Sequence, residues 1–251
     1  MSILSIYKPI GKTPLDLVNE LKKQENYKNT KMSYVGRLDP MAHGLQLIVT
    51  NELCQQREKY LNFDKIYEFS ICFGIETDTY DMLGNIINTN LNDNKYSNNQ
   101  LIISDILDKF KGIMTQEYPP YSAKRINGKP LWYYAKNNIC IELPKHDIEI
   151  YSLQYLEVIY MSLETFVKDV IEKINKLNTN YDFRQDHIIK KWKEFLQSNK
   201  NYKDKIMLVK FKAHVSSGTY IRVLVRDICK YLGIIGMTSD IYRTNVGTYK
   251  I

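Results

Sequence analysis

The chain has 251 residues, 44% of them hydrophobic, and 35 Lys and Arg against 28 Asp and Glu give it a net charge of +7. That is enough apolar material for a full core in one large or two smaller domains, and it marks a soluble globular protein. No apolar run reaches the length of a spanning helix, and the start MSILSIYKPIGK lacks the basic, apolar and small-residue parts of a signal peptide, so a cytoplasmic protein is expected. Cys54, Cys72, Cys140 and Cys229 are scattered without a CxxC pair, and the four histidines have no ligand spacing, so neither a disulfide framework nor a metal site is indicated. The basic balance, with a pI near 9 and 20 tyrosines, points to a polyanion with stackable bases; an anionic membrane surface is the rival.

In chain order, Ile3 to Tyr7 reads as a short strand ending at the turn Lys8-Pro9-Ile10-Gly11. Thr13 then caps a helix over 14–24 with Pro14 at its first position and Leu15, Val18 and Leu21 on one face. Lys8 is either a phosphate contact or a solvated turn lysine. The stretch 31–49 centres on Gly36-Arg37-Leu38-Asp39-Pro40, where proline keeps Asp39 off helical geometry and the Leu45 to Val49 run reads as a buried strand. On these five residues alone Asp39 is more simply the carboxylate of an Asx-type turn than a catalytic group.

Asn51 to Leu61 reads as helical, and Lys65 to Gly74 alternates, placing Tyr67, Phe69, Ile71 and Phe73 on one strand face. The loop Glu76-Thr77-Asp78-Thr79-Tyr80-Asp81 either binds a metal or knits a turn through side-chain to backbone bonds, the commoner outcome. Asn88 to Asn99 reads as a linker and Leu101 to Phe110 as a helix with Ile102, Ile106 and Phe110 in a row. In 112–136, Tyr121, Lys124, Arg125 and Lys129 interleave bases with aromatics around an Asn127-Gly128 turn, which suits a nucleic-acid grip or a hairpin packed by its aromatics.

Ile139 to Tyr160 reads as two strands. The segment 161–205 breaks the rhythm with two amphipathic stripes and is expected to form an inserted helical hairpin. Its lysines, among them Lys168, Lys173, Lys176, Lys190, Lys191, Lys193 and Lys200, together with Arg184, suggest a surface for RNA phosphates. A strand over 206–215 follows, then a helix over 220–232 carrying Arg222, Arg226 and Asp227, and a polar turn with a terminal strand over 239–251.

Seven of these pieces occur in a register that resembles the TruB-type tRNA pseudouridine synthases. They are Lys8-Pro9-x-Gly11, Gly36-x-Leu38-Asp39-Pro40-x-Ala42-x-Gly44, Lys65-x-Tyr67, Gly74-x-x-Thr77-Asp78-Thr79-x-Asp81-x-x-Gly84, Pro119-Pro120-x-Ser122-Ala123 with Gly128, Gly218-Thr219-Tyr220-Ile221-Arg222, and Arg243-Thr244-x-x-Gly247. The resemblance implies an α+β pseudouridine synthase fold in one catalytic domain over 1–251, a mixed, mostly antiparallel sheet flanked by helices and loops around one cleft. It implies isomerisation of a tRNA uridine, uridine 55 of the T loop, with no metal or organic cofactor, by a cytoplasmic monomer acting on the T arm. Asp39 matches the catalytic aspartate, Tyr67 the tyrosine that stacks on the flipped base, and Arg222 the arginine paired with the carboxylate. Lys8, Tyr34, His43, Tyr121, Lys124 and Tyr220 are the expected RNA contacts.

The chain departs from the family pattern in three places. Tyr34 stands where a histidine is usual, His43 where a threonine is usual, and Asn51-Glu52-Leu53-Cys54-Gln55 replaces a Gly-x-Ala-Thr-Lys run. The end at Ile251 is expected to leave no room for the C-terminal RNA-binding PUA domain of many relatives. Two other functions fit parts of the pattern: an RNA-binding or folding chaperone without turnover, and a hydrolase pairing Asp39 with Asp78 or Asp81.

Overall fold

The computed structural model describes residues 2–92 and 99–251. In chain order its elements begin with β1 (Ile3–Lys8), α1 (Pro14–Leu21), β2 (Met32–Val35), β3 (His43–Thr50), α2 (Arg57–Leu61) and β4 (Lys65–Phe73). Then come β5 (Ile75–Thr77), β6 (Ile86–Thr89), α3 (Asn99–Lys109), β7 (Gly112–Glu117), β8 (Arg125–Ile126), β9 (Lys129–Pro130) and α4 (Leu131–Lys136). The chain closes with β10 (Lys145–Ser162), α5 (Leu163–Asn175), α6 (Gln185–Ser198), β11 (Lys205–Val215), α7 (Ile221–Leu232), β12 (Gly236–Val246) and β13 (Tyr249–Lys250).

Among the described residues one sheet dominates, in the order β1-β3-β12-β4-β11-β10-β7, with β2 added to β3 and β13 to β12. Its pairings are antiparallel except for a short parallel contact of Tyr242 with His43 and Arg243 with Gly44. The fold is thus α+β with a mixed, mostly antiparallel sheet. The period-2 pattern of β4 decides the two faces. Tyr67, Phe69, Ile71 and Phe73 point to one side and join Leu224, Val225 and Ile228 of α7 in a buried cluster. Cys72 points the other way and joins Leu208 and Met237 under Phe166, Val170 and Trp192 of α5 and α6.

Several elements differ from the sequence expectation for identifiable reasons. In α1 the capping box forms, Thr13 N donating to Asp16 Oδ2 at 2.7 Å and Asp16 N to Thr13 Oγ1 at 3.2 Å. The buried face, however, carries Leu17 and Val18 beside Ile48, while Leu15 points to solvent. The Asn51 to Leu61 stretch is a single 3-10 turn, Asn51–Cys54, and the short helix α2. Part of the expected linker pairs as β6, and residues 93–98 lie outside the described residues.

The two strands expected over 139–160 are one 18-residue strand, β10, whose register shifts at Ile150/Ser152 and Tyr155/Glu157 let it continue past bulges. The chain end is not a peripheral turn: β12 lies between β3 and β4, and Thr238 and Ser239, polar by type, are buried there. Burial does alternate along 239–243, but Ser239 and Arg243 take buried positions usually held by apolar residues, so the polar letters read as a turn.

Candidate active site

Asp39 sits in the loop between β2 and β3, which is fixed from both sides. Ala42 N donates to Asp39 O at 3.1 Å, and Gly11 N donates to Pro40 O at 2.9 Å. Gly44 takes φ 109°, and a Cβ there would lie 2.3 Å from Arg243 O, so this junction requires glycine. Buried Arg243 ties the loop to the sheet, donating from Nε to Leu45 O at 2.7 Å and from Nη2 to Gly36 O at 3.1 Å.

Arg222, in the first turn of α7 and almost wholly buried, donates from Nε to Asp39 Oδ2 at 2.8 Å. Its other nitrogens are committed as well: Nη1 to Thr79 O at 2.9 Å and Nη2 to Tyr121 O at 3.3 Å. Asp81 Oδ2 lies 3.8 Å from Arg222 Nε. Burial opposes the guanidinium charge, but Asp39 and Asp81 outweigh it and its pKa is raised, so Arg222 is a permanent cation aimed by three segments of chain. Burial also pushes the Asp81 carboxyl up against the opposing pull of Arg222. Asp81 Oδ1 accepts from Thr79 Oγ1 at 2.6 Å and from Leu83 N at 3.0 Å. Thr77 Oγ1 donates to Asp81 O at 2.6 Å and Asn85 N to Asp78 Oδ1 at 2.8 Å, so the hydroxyl and carboxylate loop knits a turn. No group of metal-holding geometry occurs among the described residues.

The expected site residues separate into those around Asp39 and those elsewhere. Tyr67 is buried in the core cluster that also holds Leu38 and Ala42. Tyr220 precedes α7, and burial followed by the Asp39 charge pushes its hydroxyl up to about 12. Tyr121 contributes its carbonyl to Arg222. Lys124 lies 4.8 Å from the centre of the Tyr118 ring, which in turn contacts His146 and Tyr220. Tyr118 was not singled out in the sequence; its place beside Pro119-Pro120 was the available signal.

Three expectations are corrected or weakened by position. Lys8 is neither a solvated turn lysine nor an RNA contact at the surface. It has no exposed area, donates to Pro9 O at 3.0 Å and Lys12 O at 2.7 Å, and burial lowers its pKa to about 7 although the Asp39 charge opposes this. His43 pairs with Tyr242, on the face opposite that of Tyr67 and Arg243. Its ring stacks on Tyr242 at 4.7 Å and bonds Tyr7 Oη at 2.9 Å and Asp240 Oδ1 at 3.2 Å, so both its ring nitrogens are engaged within the protein. Tyr34 packs partly against the α1 cluster, with Arg37 and Arg57 over its ring at 5.9 and 6.0 Å.

The lysine face of the helical hairpin is also less cationic than its letters suggest. Lys168, Lys173, Lys190 and Lys191 are paired with Glu164, Asp169 and Glu194 on their own helices.

Residues 23–170 match the family model described as TruB family pseudouridylate synthase, N terminal domain. The chain is 30% identical over 246 residues to the tRNA pseudouridine synthase B of Aquifex aeolicus, covering 97% of this chain and 67% of that protein. It is 29% identical over 250 residues to the tRNA pseudouridine synthase B of Mycoplasma capricolum, covering 99% and 69%. Among solved structures, a Cbf5-Nop10-Gar1 complex superposes with a TM-score of 0.59 at 18% identity over 99% of this chain and 49% of that one. An H/ACA RNP bound to a substrate RNA containing 2′-deoxyuridine gives 0.55 at 17% identity, covering 99% and 48%. At these identities the structures bear on the fold alone, and this chain spans about half the length of each.

Proposed function

The chain belongs to the TruB family of pseudouridylate synthases, and on that premise we propose that it converts a tRNA uridine to pseudouridine, uridine 55 of the T loop being the preferred position. The observation that carries the reading is the Asp39–Arg222 pair, an anionic carboxylate on a held loop with a buried guanidinium aimed at one of its oxygens.

The reaction breaks the C1′–N1 bond, turns the uracil, joins C1′ to C5, and gives up the C5 proton while N1 gains one. Cleavage develops positive charge at the anomeric carbon, so an oriented carboxylate is placed to attack or stabilise it. Arg222 fixes one oxygen of Asp39 by hydrogen bond and leaves the other for the sugar. The side chain of Asp39 keeps 30% of its surface open, against 4% for Arg222, as suits a reacting group and its holder. A uridine in a folded loop must leave its stack to reach this depth, and the family resemblance assigns Tyr67, buried in the core cluster with Leu38 and Ala42, to stack on the extruded base. Lys124, Tyr118 and Tyr121 form the adjoining basic and aromatic rim, suited to phosphates and stacked bases.

A chaperone without turnover would need that rim but not a carboxylate paired with a buried arginine whose other nitrogens are fixed by two carbonyls. The hydrolase reading needs a second free carboxylate, whereas Asp81 is buried and hydrogen-bonded and Asp78 is ion-paired with Arg184. The test is to incubate transcribed tRNA with the protein and map pseudouridine along it. Formation at a single T-loop position supports the reading, and unmodified tRNA overturns it.

A further inference from the structure

The turn between α5 and α6 is built to present one side chain. Arg184 holds φ 62°, a left-handed conformation that residues other than Gly and Asn rarely keep, and its amide donates to Asp182 Oδ1 at 3.0 Å. Gln185 stiffens the same turn, accepting from Phe183 N at 2.8 Å and donating to Tyr181 O at 2.9 Å. From this mount Arg184 reaches out of the hairpin. Nη1 donates to Asp78 Oδ2 at 2.7 Å and Nη2 to Asp78 Oδ1 at 3.2 Å, a bidentate fork, and the guanidinium carbon lies 4.4 Å from the centre of the Tyr121 ring.

The two residues so gripped border the active site. Asp78 precedes Thr79, whose carbonyl accepts from Arg222 Nη1, and the Tyr121 carbonyl accepts from Arg222 Nη2. Tyr121 Oη also donates to Asp78 Oδ2 at 3.4 Å, so Arg184, Asp78 and Tyr121 form one unit. The hairpin backs the opposite side of the site too. Gly11, which holds Pro40 O, lies so close to the segment after α5 that a Cβ there would be 2.3 Å from Lys176 O.

We propose that Arg184 is a positioning residue: by clamping Asp78 and Tyr121 it fixes the two carbonyls that aim Arg222 at Asp39, making the hairpin a buttress of the active site. This rests on the reading of Asp39 and Arg222 as the reacting pair. An RNA grip is the competing role for the hairpin, and it predicts a different loss. Misplacing a catalytic group by a fraction of an ångström slows the chemical step without weakening substrate binding, whereas losing a phosphate contact weakens binding in a salt-dependent way.

The experiment compares the parent with Arg184→Ala, Arg184→Lys, Asp78→Asn and the Arg184→Ala/Asp78→Asn double variant. Single-turnover pseudouridine formation is measured with enzyme in excess, tRNA affinity by filter binding at two salt concentrations, and all assays run well below each thermal midpoint. Arg184→Ala is expected to be slowed about tenfold or more with affinity within about twofold of the parent, and Arg184→Lys to recover part of the rate. The double variant is expected to be no slower than the slower single one. Parent-like rate in Arg184→Ala, or intact rate with weakened, salt-altered binding, overturns the inference.

A parent that forms no pseudouridine would refute the proposed function instead. The inference is then judged without substrate, from the Nε–H resonance of Arg222 in ¹⁵N spectra, assigned by its loss in Arg222→Lys. Faster solvent exchange of that proton in Arg184→Ala supports the clamp, and an unchanged signal refutes it.

Discussion

Arg222 meets Asp39 through Nε alone, at 2.8 Å, because its two terminal nitrogens are taken by the carbonyls of Thr79 and Tyr121. The guanidinium therefore holds one carboxylate oxygen in place without enclosing both, which is the geometry a reacting carboxylate needs.

It follows that charge alone does not serve at position 222. Lysine keeps a cation but cannot bind one carboxylate and two carbonyls from fixed directions. Arg222→Lys is expected to lower the single-turnover rate about 100-fold while tRNA affinity stays near the parent value. Quench-flow sampling with enzyme in excess reads the rate, and a variant as fast as the parent would mean the three-point hold is not used.

Lys8 makes stability depend on pH. Its folded pKa is lowered to about 7, against about 10.5 in an unfolded chain, so between these values the unfolded state binds more protons. Stability therefore rises with pH across this window, and below about 7 the cost of the buried ammonium is fully felt. Urea midpoints at pH 7 and pH 9 check this: the parent is expected to gain more on going to pH 9 than Lys8→Met, and equal gains would contradict it.

Trp192 closes the α5–α6 hairpin onto the back of the sheet. It is fully buried and its Nε1 donates to Met82 O at 3.2 Å. Truncation to alanine removes the apolar contacts and orphans that carbonyl, so Trp192→Ala is expected to destabilise by about 3–5 kcal/mol in denaturant titration. A loss under about 1 kcal/mol would mean the hairpin is a loose decoration.

Much of the architecture is legible in the sequence where apolar residues recur with the period of the element. The β4 alternation, the Thr13-Pro14 helix start and the two stripes of 163–198 each show in the residue types themselves, and each forms. The reading fails where polar side chains take buried positions. β12 reads as a polar turn because Thr238, Ser239 and Arg243 stand on its buried positions, and Lys8 reads as surface because nothing in its neighbours announces that two backbone carbonyls will accept its ammonium.

The site divides in the same way. The resemblance to the family brings Asp39, Tyr67 and Arg222 forward as one group; Arg222 donates to Asp39, and Tyr67 is buried in the core cluster that also holds Leu38 and Ala42. His43 lies within the motif, but its strand register puts it on the face opposite Arg243, where it engages Tyr7, Tyr242 and Asp240, and a motif read as letters does not show which face a strand residue takes. Arg184 was legible only as one more positive charge. Its partner Asp78 is 106 residues away, and no local pattern encodes a contact at that separation.

The central claim is that the Asp39 carboxylate does the chemistry, and one substitution isolates it. Asparagine has nearly the shape of aspartate but neither its charge nor its nucleophilicity. The measurement is tritium release from tRNA carrying 5-tritiated uridine, with binding of the same tRNA followed in parallel. Asp39→Asn is predicted to bind tRNA within about twofold of the parent and to release no tritium above background; release near the parent rate would contradict the account.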